Sequence, residues 1–215
     1  GRWHNPEFTM LEWYRSGADY HRIIEDIEHL ITALAEKLGL KSSVRYGGQD
    51  IDIRLPWPRT TVKKAFLKAA GWDPVASGDA SRFDMDFVTK VQPSFDPRRP
   101  TVMTDYPAAL ASLARLKPGD TSVAERAEVF IGGLELANAY SELADAGEQE
   151  RRFREAIEQI RQEQHQEIPL PQRFLESVTH LPPCGGVALG VDRLVMLFCD
   201  APSIDEVMAF TTDSS

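Results

Sequence analysis

Two glutamates seven positions apart, Glu128 and Glu135, flank Gly132-Gly133 in the run AERAEVFIGGLELANAYSEL. Two β-leaning segments joined by two glycines predict a hairpin with a two-residue turn. Pairing Ile131 with Leu134 sets Phe130 opposite Glu135 and leaves Glu128 diagonal to Glu135 on the same face. Carboxylates so placed suit Mg2+, which takes hard oxygen ligands from one or two side chains together with substrate phosphates. A solvated sheet face carries such a pair equally well. Regular alternation sends Asn138 and Glu142 to the face away from Glu135, so gathering all four into one pocket requires a bulge, or an end to the strand near Ala139.

Two further stretches could do chemistry. In GVALGVDRLVML a strand meets a helix at Gly190, where a missing side chain lets backbone approach a ligand and the helix amino terminus attracts phosphate. Arg193 then falls in the first helical turn and could hold a phosphate oxygen through two hydrogen bonds; the alternative is an ordinary strand-to-helix turn with a solvated arginine. No GxxxxGK loop accompanies it. In HNPEFTMLEWY, His4 and Asn5 precede Pro6 at a turn, and Phe8, Glu12 and Tyr14 share one face if FTMLEWY is a strand. Phe8 could stack on a base, Asn5 could bond its edge, and Glu12 with Tyr14 could bind an ammonium group; the alternative is an amphipathic edge strand.

These residues need a scaffold, and the rest of the chain supplies one. Its 215 residues, 42% hydrophobic, suit one domain spanning residues 1–215. Tyr20 to Leu38 repeats apolar residues at helical spacing, with Asp19 as cap and Gly39 as stop. IDIRLPWP reads as a short strand ended by prolines, TTVKKAFLKAAG as a Thr-capped helix, SRFDMDFVTKV as a short helix and TVMTDYP as a strand. GEQERRFREAIEQIRQEQHQE reads as a surface helix, and SIDEVMAF opens on a capping box of Ser203 with Glu206. The net charge of -9 disfavours broad nucleic-acid binding. No apolar run spans a bilayer and no signal-like order opens the chain, so a cytoplasmic protein without a membrane partner is expected. Cys184 and Cys199 form neither a disulfide framework nor a zinc spacing, and both are expected as small buried hydrophobes.

Taken in order, HNPEFTMLEWY, GLELANAYSEL and GVALGVDRLVML resemble the class II aminoacyl-tRNA synthetases of the lysyl type, and within them the branch of elongation factor P lysine ligases. The first stretch matches the second half of the family's motif 2 and the last its motif 3. The resemblance implies an α+β fold, an antiparallel sheet flanked by helices, and a reaction joining an amino-acid carboxylate to the α-phosphate of ATP. It implies that Asn5 and Phe8 hold adenine, that His4 lies near the triphosphate, and that Glu135 and the Leu136 backbone contact ATP. Glu128 with Glu135 would bind Mg2+, Gly190 would admit the nucleotide, and Arg193 would grip a phosphate. Glu12, Tyr14 and Glu142 would recognise the substrate's side-chain ammonium, with Asn138 near its carboxylate.

Ala188 stands where lysyl-tRNA synthetases usually have glycine and the protein ligases alanine. With the acidic charge and no visible anticodon-binding domain, this favours activation of lysine or β-lysine and transfer to elongation factor P over tRNA charging. The core of a lysyl-tRNA synthetase is the first alternative, and a non-catalytic paralogue that binds ATP or an aminoacyl adenylate is the second. Motif 1 and the motif 2 arginine would lie before Gly1, so the chain is expected to begin partway through a site, and the complete protein to form a homodimer. Ala139 stands where relatives usually have glycine, which puts the backbone near Asn138 in question.

Overall fold

Tyr20, Ile23, Ile24, Ile27 and Ile31 recur at three- and four-residue intervals, and they form the buried face of a helix over Tyr20–Lys37 (α1), with the Asp19 side chain accepting from the Arg22 amide. In the computed structural model, which describes residues 2–211, this helix lies against a mixed sheet. The strands are Met10–Ser16 (β1), Ser43–Tyr46 (β2), Gln49–Asp52 (β3), Arg59–Thr61 (β4), Thr101–Pro107 (β5), Leu116–Lys117 (β6), Asp120–Ile131 (β7), Leu134–Ser141 (β8) and Cys184–Gly190 (β9). The main sheet runs β1-β9-β8-β7-β5-β4, with β6 beside β7, and every pairing in it is antiparallel except that of β4 with β5. β2 and β3 form a separate hairpin. The other helices are Val62–Ala69 (α2), Pro74–Ser77 (α3), Ala80–Asp86 (α4), Ala146–Gln164 (α5), Gln172–Val178 (α6) and Val191–Cys199 (α7). Among the described residues no helix is long and apolar enough to cross a membrane.

Strand alternation divides the sheet into two unlike faces. Val187 and Leu189 of β9, Ala137 and Ala139 of β8, and Ala127, Val129 and Ile131 of β7 are buried with α1 and α7 in the main core. Gly186, Ala188 and Gly190 alternate with them and belong to the opposite face, with Met10, Glu12 and Tyr14 as their partners on β1. The hairpin turn falls on Gly132 and Gly133, both at positive φ, and Ile131 pairs with Leu134 and Phe130 with Glu135 as the spacing requires. One register step further, Val129 pairs with Ala137, so Leu136 is an extra residue and Glu128 comes to lie opposite Asn138. This bulge is the irregularity that the candidate pocket needed, and it sits between Glu135 and Ala137. Ala139, by contrast, stays in regular register with Ala127 and Val187.

Several expectations are corrected. The first strand starts at Met10, so Phe8 precedes it and does not share its alternation. The IDIRLPWP strand stops at Asp52, before the cis Leu55-Pro56 bond. SRFDMDFVTKV winds from α4 into a π-helical turn over Phe87–Val91. Ser203 caps the amide of Asp205, not that of Glu206, on a single 3-10 turn. Cys184 is buried but Cys199 is exposed, because Cys199 closes α7 on its outer side. The expected α+β arrangement holds, a mostly antiparallel sheet flanked by helices whose one parallel pair is β4 with β5.

Gly185 lies where β9 passes under the start of α1. A Cβ there would stand 2.6 Å from Ile23 Cγ1 and 2.8 Å from the Asp19 carbonyl oxygen, and a backbone atom cannot swing aside. Gly185→Ala is therefore expected to destabilise the fold by about 1–3 kcal/mol. A urea titration followed by tryptophan fluorescence measures it, and an unchanged midpoint would contradict this packing.

Candidate active site

The opening segment, the β7–β8 hairpin and the start of α7 enclose a cavity of about 260 Å3. Its walls include Trp3, His4, Asn5, Phe8, Glu135, Leu136, Asn138, Ala188, Gly190 and Arg193. Phe8 is 58% exposed at this wall, so a ring face remains open to a ligand. Asn5 is buried, and its amide nitrogen donates to the Glu7 carbonyl at 2.5 Å. A Cβ added at Gly190 would meet nothing nearer than Arg193 Cδ at 3.7 Å, so the glycine leaves room in the cavity without relieving a clash within the chain.

The third residue of α7, Arg193, sits one turn from the helix start at Gly190. It donates through Nη1 to the Glu135 carbonyl at 2.8 Å and through Nε to the Trp3 carbonyl at 3.3 Å, and its Nη1 lies 3.9 Å from Glu135 Oε2. Its neighbour Asp192 accepts from the Thr9 amide at 2.7 Å. The start of α7 thus ties the opening segment to the hairpin. Burial and then the Arg193 charge hold the His4 pKa below the usual histidine value.

Deeper along the same face, Glu128 is buried opposite Asn138. Burial raises its pKa, and the Arg126 guanidinium, whose Nη2 donates to Glu128 Oε1 at 2.6 Å, opposes that rise. Asn138 Nδ2 donates to Glu135 Oε1 at 2.7 Å, so Glu128, Asn138 and Glu135 form one polar cluster. Among the described residues no group of three or more His, Cys, Asp or Glu side chains could hold a metal ion. Mg2+ beside a nucleotide takes one or two carboxylates together with phosphate oxygens; of this pair Glu135 lines the cavity, while Glu128 is buried behind Asn138.

A second carboxylate cluster surrounds Gly186. Tyr14 pairs with Gly186 across β1 and β9, and Glu12 pairs with Ala188. A Cβ on Gly186 would collide with Glu142 Oε1 and stand 2.9 Å from Tyr14 Cε1, so the glycine makes room for both side chains. Burial, reinforced by the Glu12 charge, pushes the Glu142 pKa up to about 7. Burial and then the Glu142 charge also raise the Tyr14 pKa. Two carboxyl groups beside a phenol, with no cation among the side chains that shift the Glu142 pKa, form a site of negative character.

Residues 2–214 match the family described as tRNA synthetases class II (D, K and N). The chain belongs to this family. It is 35% identical to a lysine–tRNA ligase of Moorella thermoacetica over 97% of the chain and 47% of that protein. It is 38% identical to an elongation factor P–(R)-β-lysine ligase of Salmonella gallinarum over 99% of the chain and 67% of that protein. A lysine–tRNA ligase of Chloroflexus aurantiacus is 33% identical over 97% of the chain. The chain spans about half the length of the lysine–tRNA ligases it matches.

In this class II synthetase chain the residues singled out by sequence fall into two neighbouring groups. His4, Asn5, Phe8, Glu135, Leu136, Asn138, Ala188, Gly190 and Arg193 line one cavity. Glu12, Tyr14 and Glu142 do not line it and gather around Gly186 on the same sheet face, while Glu128 lies behind Asn138. Sequence reasoning missed Arg126, Gly186 and Asp192. An acidic residue in the first turn of a helix is a signal that could have found Asp192. Arg126 carries none, since its role depends on which strand lies beside it. Asp192→Ala removes the acceptor of the Thr9 amide, a charge-assisted bond worth about 1.5–3 kcal/mol. Hydrogen exchange at Thr9 is expected to quicken by about tenfold or more while the α1 amides keep their protection; an unchanged Thr9 rate would show that this bond does not hold the segment.

Proposed function

We propose that the chain is the nucleotide- and amino-acid-binding core of a ligase that activates lysine or β-lysine as an adenylate and passes it to a lysine side chain of elongation factor P. The observation that carries the amino-acid assignment is the Glu12–Glu142–Tyr14 cluster on the same sheet face as the cavity, which in this reading takes the substrate's ammonium group. In this reading Phe8 and Asn5 hold adenine at the cavity wall, His4 and Arg193 face the phosphates, and Gly190 leaves space for them. Asn138 meets the amino-acid carboxylate. One carboxylate oxygen forms a bond to the α-phosphorus, the bond from that phosphorus to the bridging oxygen breaks, and pyrophosphate leaves with the electron pair. Glu128 and Glu135 would hold Mg2+, which would supply positive charge against the negative charge gathering on the phosphates. The protein contributes orientation and fixed charge and no nucleophile.

Two features favour a protein acceptor: Ala188 in the floor of the cavity, and the net charge of -9, which opposes extended contact with a polyanion. The second reading, tRNA charging, is favoured by the 35% identity to a lysine–tRNA ligase. Pyrophosphate exchange with lysine, β-lysine, ornithine and arginine, followed by acceptor assays with the factor and with tRNA, decides between them. Exchange dependent on lysine or β-lysine together with labelling of the factor is expected. Charging of tRNA without labelling of the factor would select the second reading, and ATP binding without exchange would leave a regulator.

The acidity of Glu142 sets a pH signature. An ammonium group binds the ionised carboxylate, so affinity is complete above the folded pKa of about 7 and is lost as pH falls through it. The stability of the empty protein runs the other way. Because the folded pKa lies above the ordinary 4.5, the native state holds the extra proton between those values, and stability declines as pH rises from about 4.5 through about 7. Titration of lysine by calorimetry is expected to show affinity falling about tenfold per pH unit below 7. Glu142→Gln should bind weakly at every pH, and a wild-type profile in that variant would remove Glu142 from the amino-acid site.

A further inference from the structure

We infer that Arg126 is a positioning residue that holds the Glu128 carboxylate and the Asn138 amide in one hydrogen-bonded unit, locking the metal-nucleotide and amino-acid subsites to each other. The inference rests on the functional reading above and adds a residue that no ligand contact in it requires. Arg126 projects from β7 opposite Tyr140. Its guanidinium carbon lies 4.5 Å from the centre of the Tyr106 ring and 5.9 Å from that of Tyr140. Nη1 donates to the Leu110 carbonyl at 2.8 Å, which anchors the group from outside the sheet. Nη2 donates twice, to Glu128 Oε1 at 2.6 Å and to Asn138 Oδ1 at 3.2 Å.

Those two bonds fix what the neighbours present to a ligand. With its carbonyl held by Arg126, Asn138 must turn its amide nitrogen toward Glu135, where it donates to Oε1 at 2.7 Å. With Oε1 held by the guanidinium, Glu128 remains paired inside a buried site. The four side chains therefore form one chain of bonds, Glu128–Arg126–Asn138–Glu135, with a carboxylate at each end and the Asn138 amide between them. A lysine at this position restores the charge but not the flat fork that stacks on Tyr106 while bonding in two directions. Loss of a partner that orients a metal-binding carboxylate typically lowers metal affinity about 10-fold to 100-fold.

The test is a double-mutant cycle on the complete protein, comparing wild type, Arg126→Met, Glu128→Gln and the double variant, with Arg126→Lys beside them. Calorimetry measures ATP binding at fixed Mg2+ and lysine binding separately, and thermal melts report folding. Arg126→Met and Glu128→Gln are each expected to weaken Mg2+-dependent ATP binding at least tenfold, with the double variant no weaker than Glu128→Gln. Arg126→Lys should melt near wild type yet bind lysine several-fold more weakly, because Asn138 is free to turn. If Arg126→Met does not fold, the lysine variant carries the test, and wild-type affinities for both ligands there would overturn the inference. Losses that multiply in the double variant would reduce Arg126 to a packing role. Wild-type Mg2+-ATP binding by Glu128→Gln would remove Glu128 from the metal site and take this inference with it, while leaving the amino-acid assignment to the lysine titration.

Discussion

The extra residue at Leu136 governs what the sheet can present. Backbone pairing turns successive side chains to opposite faces, so a strand cannot bring Glu135 and Asn138 to the same side unless one position drops out of the ladder. Here Leu136 drops out, its side chain goes to the main core, and the residues after it are shifted in face by one step. Glu135, Asn138, Tyr140 and Glu142 thereby share the open face with Glu128 and Arg126. The same step keeps Ala137 and Ala139 against α1, so the bulge serves the core and the site together.

Beside the bulged strand, β9 supplies a floor with almost no side chains. Gly186, Ala188 and Gly190 alternate with Val187 and Leu189, so the strand is apolar and filled on the core side and nearly bare on the other. Bare floor is what allows Glu142 and Tyr14 to approach across Gly186 and leaves the space beside Arg193 open. Burial, with the Glu12 charge added to it, raises the Glu142 pKa there.

The third constraint is how the opening segment is held. Residues before β1 have little regular structure of their own, yet they carry His4, Asn5 and Phe8. They are fixed from a distance by the first turn of α7, through Asp192 to the Thr9 amide and Arg193 to the Trp3 carbonyl. Arg193 also reaches the Glu135 carbonyl, so one helix start sets the spacing between the segment and the hairpin.

Local rules were enough for much of this protein. The α1 helix and its Asp19 cap, the Gly132-Gly133 turn, the Ile131–Leu134 register and the strand-to-helix step at Gly190 all follow from residues close in sequence, because caps, turns and alternation are decided within a few positions. The three motifs also named the family without help from coordinates. What sequence could not give was anything that depends on which strand lies beside which. The place of the bulge, the clearance that Gly186 provides for Glu142, and the seat of Arg126 between Tyr106 and Tyr140 join residues from separate strands. Their energies arise from contact and burial across the sheet, so only the tertiary structure decided them.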